Sequence, residues 1–159
     1  MGKIFTLLLL FCFMFVFTGC SQVKSLSSDN EAEQKCAELL QYLSDDDKEG
    51  LKSMFCSITR SSQDLDEQIQ VAMKFFEGKV SNHDPFIEIN EGKSVRNGKI
   101  TRFDIGPWIT GIVTDEGKKY EIVFCSYLIN SEDQEKIGLS ELTIIAEDGE
   151  ECKVGEYIE

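Results

Sequence analysis

The sequence predicts an α+β domain in which N-terminal helices pack on a curved antiparallel sheet. Before Gly78, apolar residues recur every three or four positions, which is the spacing of one helix face. After Gly78, short runs rich in β-branched and aromatic residues alternate with turn signals, which is typical of antiparallel strands. Helices that precede a run of strands favour helices layered on one sheet.

Three helices are predicted. The first begins at Glu31, and the second follows Ser44, whose hydroxyl is suited to capping free amides. The third begins near Asp64, where Asp64-x-x-Glu67 resembles a capping box, and ends at Gly78 as a left-handed cap. The three apolar stripes are Ala32, Cys36, Leu39, Leu40 and Leu43; Leu51, Met54, Phe55 and Ile58; and Leu65, Ile69, Ala72, Met73 and Phe76.

The first strands surround a hairpin signal. Residues 86–89 form a short strand, and Asn97-Gly98 is a two-residue turn that leads into a strand over residues 99–105. Pro107 then marks an edge or a bend, because proline cannot donate to a strand ladder.

The later strands form a central hairpin and an edge. Residues 108–114 and 120–130 flank the turn at 115–117, and both faces of the second strand are apolar. Both faces therefore need cover, for instance helices on one and a partner or curled sheet on the other. Residues 138–146 form the last long strand, and the acidic tail at 147–159 adds one short strand.

Residues 1–19 have the organisation of an export signal. Lys3 precedes an apolar run over residues 4–17, which is too short to cross a bilayer and is typical of a signal core. A Thr-Gly pair stands directly before Cys20 and resembles the lipobox of bacterial lipoproteins, although Phe17 occupies the position where leucine is usual. We expect cleavage before Cys20 and a lipid on its sulfur. The alternative is an ordinary secretory signal with a chance cysteine.

The expected location is the extracytoplasmic face of the cell membrane. Two acyl chains on one cysteine anchor stably, whereas one chain binds marginally. Residues 20–30 are polar and Ser-rich, so they are interpreted as a flexible tether. Residues 31–159 then have the usual size of a single domain.

The mature chain is strongly acidic. Its formal charge changes from -13 to -14, since residues 1–19 carry one cation, Lys3, and no acid. This charge opposes nucleic acid and anionic lipid headgroups, which bind through Lys and Arg. We therefore expect no nucleic-acid partner. The negative charge instead favours solubility or a cationic partner.

Neither a metal site nor a cofactor is predicted. Four mature cysteines can pair in three ways, but wide spacing and apolar positions leave buried free thiols open as well: Cys36, Cys56, Cys125 and Cys152. His83 is the only histidine, which disfavours zinc. The acids at 45–49 resemble the start of a calcium loop, but Cys56 stands where a bidentate Glu belongs. The sequence has no phosphate-binding loop and no nucleophile elbow.

The order of elements resembles the cone-like nuclear-transport-factor-2-like fold. Four stretches resemble more specifically the domain-of-unknown-function 5104 family, found in small bacterial lipoproteins: residues 51–56, 64–69, 75–78 and 120–127. The resemblance covers most of the mature chain. It implies the fold and the location, and it carries over no activity or site residue.

A conical sheet closed by helices commonly leaves an apolar pocket. Seven aromatic residues are candidates to line it, and the same side chains are equally suited to a plain core. They are Phe75, Phe76, Phe103, Trp108, Tyr120, Phe124 and Tyr127.

The leading functional hypothesis is a surface-tethered binding module, more a binder than an enzyme. It would capture a small apolar or amphipathic ligand, or a cell-envelope protein, in a pocket or on an exposed sheet face. The alternative is a hydrolase or isomerase that uses His83 or a pocket carboxylate such as Asp104. His83-Asp84 lies in a segment of turn composition, and adjacent residues rarely face each other. A purely structural envelope protein is a third possibility. The sequence leaves the ligand, the partner and the oligomeric state open.

Overall fold

A computed structural model describes residues 28–84 and 87–158. Within them the helices are α1 Ser28–Ser44, α2 Lys48–Met54, α3 Ser57–Arg60 and α4 Leu65–Phe75. The strands are β1 Val80–Asn82, β2 Glu88–Arg96, β3 Lys99–Thr114, β4 Lys119–Asn130, β5 Gly138–Ala146 and β6 Glu151–Gly155, with a 3₁₀ turn at Gln134–Lys136. Helices followed by antiparallel strands confirm the predicted α+β class.

The described strands form one curved open sheet in the order β1-β3-β4-β5-β6. Every pairing in it is antiparallel. β2 pairs with the first part of β3 and β1 with its end, so both lie on the edge of β3 opposite β4. The long strand β3 therefore lies between β4 on one side and both β1 and β2 on the other.

The helices cover one face of the sheet. The apolar stripes of α1, α2 and α4 pack against alternate residues of β3 to β6, including the fully buried Ile109, Ile122 and Ile144. Ala32 of α1 contacts a second cluster around Phe103 and Ile105. Each such aliphatic side chain contributes about 1.5–3 kcal/mol when it is fully buried.

The second predicted helix is divided in two, and its cap differs from the prediction. Asp47, not Ser44, caps α2, since its carboxylate accepts from the Gly50 amide at 2.8 Å. The Ser44 hydroxyl instead accepts from the Val80 amide at 3.1 Å. The helix then breaks because the Cys56 amide donates to the Leu139 carbonyl of β5 at 2.8 Å.

The third predicted helix is α4, and Gly78 is not its cap. The helix ends at Phe75, and the capping residue is Phe76 in extended backbone. Gly78 does have a left-handed φ of 85°, but it lies farther along the connection to β1. Asp64 occupies the N-cap position without a side-chain hydrogen bond to the helix, so the predicted capping box does not form.

The predicted hairpin at Asn97-Gly98 is confirmed. Both residues have positive φ, 52° and 74°, as a tight two-residue hairpin turn requires. Arg96 pairs with Lys99 across it. β2 is longer than predicted and spans Glu88–Arg96.

Pro107 does not bend or end the strand, contrary to the prediction. β3 continues through it to Thr114. β3 pairs with β4 at Ile105 and again at Trp108 in the same register, so the ladder is interrupted at Gly106 and Pro107 while the strand itself continues.

The predicted signal peptide, Cys20 and residues 20–27 of the predicted tether lie outside the described residues. Residues 28–30 form the start of α1, three residues before the predicted helix. Among the described residues, no helix combines the length and apolar character needed to cross a bilayer.

Candidate functional site

The face of the sheet opposite the helices carries the candidate site. We call it the open face, and it consists of the residues that alternate with the core positions. On the three central strands these are Asp104, Gly106 and Trp108; Val123, Cys125 and Tyr127; and Glu141, Thr143 and Ile145.

A groove of about 250 Å³ lies on the open face between β2, β3, β4 and the C-terminal tail. Its lining is mostly apolar. Gly92 and Gly106 form its floor, and their cross-strand partners are the polar residues Asp104 and Asn90. The remaining lining residues are Asn90, Glu91, Asp104, Ile105, Cys125, Ser126, Tyr127 and Tyr157.

The polar end of the groove is an ion pair held against an aromatic ring. The Nε of Arg102 donates to Asp104 Oδ1 at 2.8 Å, and this bond raises the pKa of the Arg102 guanidinium. The same guanidinium lies 5.1 Å from the centroid of the Tyr127 ring. Tyr157 also interacts with this guanidinium, so Arg102 is committed to three partners within the protein.

Gly92 determines where the Asp104 carboxylate lies. The two residues are cross-strand partners, and a Cβ on Gly92 would come within 2.6 Å of Asp104 Oδ2. Only glycine leaves room for the carboxylate to rest against the backbone of β2. The carboxylate therefore rests beside Gly92, at the polar end of the groove.

The C-terminal tail forms one wall. The Tyr127 hydroxyl donates to the Ile158 carbonyl at 3.0 Å, which brings the neighbouring Tyr157 to the groove. Burial raises the pKa of Tyr127 and outweighs the opposing effect of Arg102, so this hydroxyl stays a donor. Tyr157 itself remains 58% exposed.

The carboxylates of Glu141 and Asp104 make the electrostatic potential around Cys125 negative. Burial raises the pKa of the Cys125 thiol, and the carboxylates of Glu141 and Asp104 raise it further. Cys125 is therefore a neutral, weakly polar part of the groove wall rather than a nucleophile.

A larger hollow lies elsewhere, where the end of α4 meets two turns of the sheet, and measures about 500 Å³. Charged side chains line its rim, with Lys118 Nζ 3.3 Å from Glu77 Oε1 and Lys119 Nζ 2.6 Å from Glu147 Oε1. Exposed ion pairs of this kind contribute little stability and do not fix their side chains in one position. We favour the smaller groove because it is mostly apolar and has a fixed polar end.

The seven aromatic candidates do not gather around one cavity. Phe76, Tyr120 and Phe124 belong to the main core, with Phe75 packed against it, and Phe103 belongs to the second cluster. The seven residues are thus distributed among the main core, the second cluster, the groove and the exposed surface. Tyr127 lines the groove, and Trp108 is 39% exposed on the open face, where its Nε1 donates to Glu121 at 3.0 Å.

His83 and Asp104 lie at separate places. The His83 ring bonds the Asp84 carbonyl through Nδ1 at 2.8 Å, and the Asp84 carboxylate accepts from the Thr110 hydroxyl at 2.8 Å. Thr110 and Asp104 are six residues apart on β3, on the order of 20 Å at the rise of a strand. The two residues proposed for catalysis therefore do not form one site.

The four described cysteines are free thiols. Cys36, Cys56 and Cys152 are buried, and Cys125 is half-buried. Across residues 28–84 and 87–158, no three His, Cys, Asp or Glu side chains converge as metal ligands would.

Most of the groove was missed by the sequence reasoning. The sequence predicted Asp104 and Tyr127 as candidate site residues, but not Gly92, Gly106 or Tyr157. The available signal was glycine inside a strand, which often marks a close approach of a ligand or another backbone.

Comparison with protein families matches residues 38–147 to the family described as Domain of unknown function (DUF5104). The match begins within α1 and ends just after β5, so it includes the strands that form the groove floor. No curated protein matches the chain significantly.

Proposed function

This chain belongs to the DUF5104 family, and on that premise we propose that it is a membrane-anchored binding module that holds a small amphipathic ligand in the open-face groove. The observation that carries the proposal is the groove itself. It combines a glycine floor, an aromatic wall and one polar end on the face opposite the described helices. Apolar sites with a few placed polar groups are the usual form of ligand sites.

The anchor in this proposal is a lipid on Cys20. The Thr-Gly-Cys end of the apolar N-terminal run supports it, and residues 20–27 provide the reach between membrane and domain. The proposed location is the extracytoplasmic face. The negative charge of the domain repels anionic headgroups, which keeps the open face accessible.

The fold in this proposal is nuclear-transport-factor-2-like. Helices on one face of a curved sheet, with long central strands, support the relationship. Folds of this type carry both binders and enzymes, so the groove and not the fold must argue for function.

Filling the groove tests ligand binding. A Cβ at Gly106 would meet only ordinary contacts, the nearest at 3.8 Å, so the backbone accepts a side chain there and Gly106→Val extends into the groove. Valine also favours strands over glycine, and the variant should be at least as stable as the parent. Asn82→Val is the matched control, since it adds the same side chain to the exposed strand β1.

The measurement is mass spectrometry of small molecules retained by each purified full chain. We expect the parent and Asn82→Val to retain the same compound and Gly106→Val to lose it. Equal retention by all three proteins would contradict the groove as the binding site.

Cys20→Ser tests the anchor. We expect this variant to lose lipid-dependent processing and to leave the membrane fraction, because serine provides no sulfur for a thioether. A Cys20→Ser protein that is processed as before and still sediments with membranes would contradict the proposal.

A further inference from the structure

We propose that the groove selects organic cations, molecules with an ammonium group on a small apolar body, and that Asp104 receives the ammonium. The inference rests on the proposed ligand-binding function and names its ligand class. The first observation is an unused acceptor. Asp104 Oδ1 binds Arg102, whereas Oδ2 has no protein donor among residues 28–84 and 87–158.

The acceptor is held in position before any ligand arrives. Gly92 leaves the space in which the carboxylate rests, and Arg102 holds one of its oxygens. A preorganised acceptor loses less conformational freedom on binding than a mobile surface carboxylate. Asp104 is also partly shielded, with 29% of its side chain exposed, which strengthens a charge-assisted hydrogen bond there.

The surrounding charges favour a cation. Glu141 lies across from Cys125 on the open face, and together with Asp104 it raises the pKa of that thiol. Glu141 and Asp104 are two carboxylates against the one guanidinium of Arg102, which is already paired with Asp104 and lies over Tyr127. An anionic ligand would meet repulsion, and a neutral ligand would gain only a weaker hydrogen bond.

The apolar part of the groove limits the rest of the ligand. The glycine floor, Cys125 and the exposed ring of Tyr157 offer carbon surface and no further charge. The volume of about 250 Å³ is below the range of roughly 300–1,000 Å³ for sites that hold drug-sized molecules. A short chain or a single ring with one amino group fits these limits.

The only tryptophan reports binding directly. Trp108 lies on the open face two residues from Gly106, so a ligand in the groove changes its surroundings. We would titrate the full chain in nanodiscs of zwitterionic lipid with hexylammonium, hexanol and hexanoate. The three probes share one apolar chain and differ in charge. Empty nanodiscs measure partition of each probe into lipid.

Two variants have opposite expected effects. Asp104→Asn should weaken hexylammonium binding by about three- to tenfold, the size of one charged contact in a partly exposed site. Arg102→Gln should strengthen it by a similar factor, because Asp104 loses its internal cation. Glu116→Gln, in the exposed turn after β3, is the control that removes a charge far from the groove and should bind as the parent does.

The expected order of affinity is hexylammonium, then hexanol, then hexanoate. Equal affinity for all three, abolished by Gly106→Val, would overturn the charge selection and leave the groove function standing. Binding of none of the probes would overturn both. If Asp104→Asn proves unstable by its melting temperature, Arg102→Gln decides alone, and a weaker or unchanged hexylammonium affinity in that variant refutes the inference.

Discussion

The hydroxyl of Tyr127 in β4 donates a 3.0 Å hydrogen bond to the backbone carbonyl of Ile158, 31 residues later in the chain. This bond holds the tail that follows β6 against the open face. Together with the bond from the Glu156 amide to the Ser140 carbonyl, it places Tyr157 at the groove, where it forms one wall of the candidate site.

Tyr127→Phe should release the tail without disturbing the sheet. The variant keeps the ring that packs under Arg102 and loses only the hydroxyl, at a cost of about 1 kcal/mol. We expect faster amide exchange at residues 157 and 158 and unchanged exchange in β4 and at Glu156, whose amide keeps its bond to the Ser140 carbonyl, measured by hydrogen-deuterium exchange. Tail exchange equal to that of the parent would show that other contacts hold the tail.

Tyr120→Phe should destabilise the whole domain more than an ordinary surface change. The Tyr120 hydroxyl donates to the Phe75 carbonyl and accepts from the Glu77 amide, both at 3.0 Å, and so joins the end of α4 to β4. Loss of both bonds should cost about 1–3 kcal/mol in the free energy of unfolding by denaturant. Tyr42→Phe, at a half-buried ring packed against the core, is the control and should change stability by less than about 0.5 kcal/mol.

Gly155→Ala should be among the most damaging small substitutions in the sheet. Gly155 has a φ of 77°, and a Cβ there would collide with the backbone carbonyl of Ser140. Gly149→Ala is the matched control, since its φ is 87° and nothing lies within 4 Å of the added carbon. The backbone strain alone costs about 1–2 kcal/mol in each.

The difference between the two alanine variants isolates the collision. We expect Gly155→Ala to lose at least about 1 kcal/mol more than Gly149→Ala in the free energy of unfolding. Equal losses would mean that β5 and β6 move apart at little cost.

The stability of the domain should fall as pH rises from 9 to 12. Burial, with help from Glu33, raises the pKa of the Cys36 thiol from 9.0 to about 12. In this window the unfolded thiol releases its proton and the folded one keeps it. The folded state therefore loses up to about 1.4 kcal/mol per pH unit from this group.

Cys36→Ala should flatten that dependence. The comparison concerns the slope of unfolding free energy against pH, because the cavity lowers the absolute stability at every pH. Leu40→Ala, which opens a cavity on the same face of α1, should keep the parent slope. A Cys36→Ala slope equal to the parent's would contradict a contribution from this thiol.

Local patterns predicted the kinds of elements well and their ends poorly. The predicted strand over residues 138–146 coincides with β5, and the Asn97-Gly98 turn forms as expected. The break after Met54 was missed because the Cys56 amide bonds Leu139, 83 residues away. Pro107 stays inside β3 because of how that strand pairs, which composition cannot show.

The sequence by itself determined the α+β class, the apolar faces and the acidic charge, since each follows from residue types at short spacing. Only the tertiary structure decided the groove. Gly92 faces Asp104 through the register of β2 on β3, and Tyr157 reaches it through a bond from Tyr127. Register and tail docking depend on contacts between distant residues, and a site built from them becomes visible only when the chain has folded.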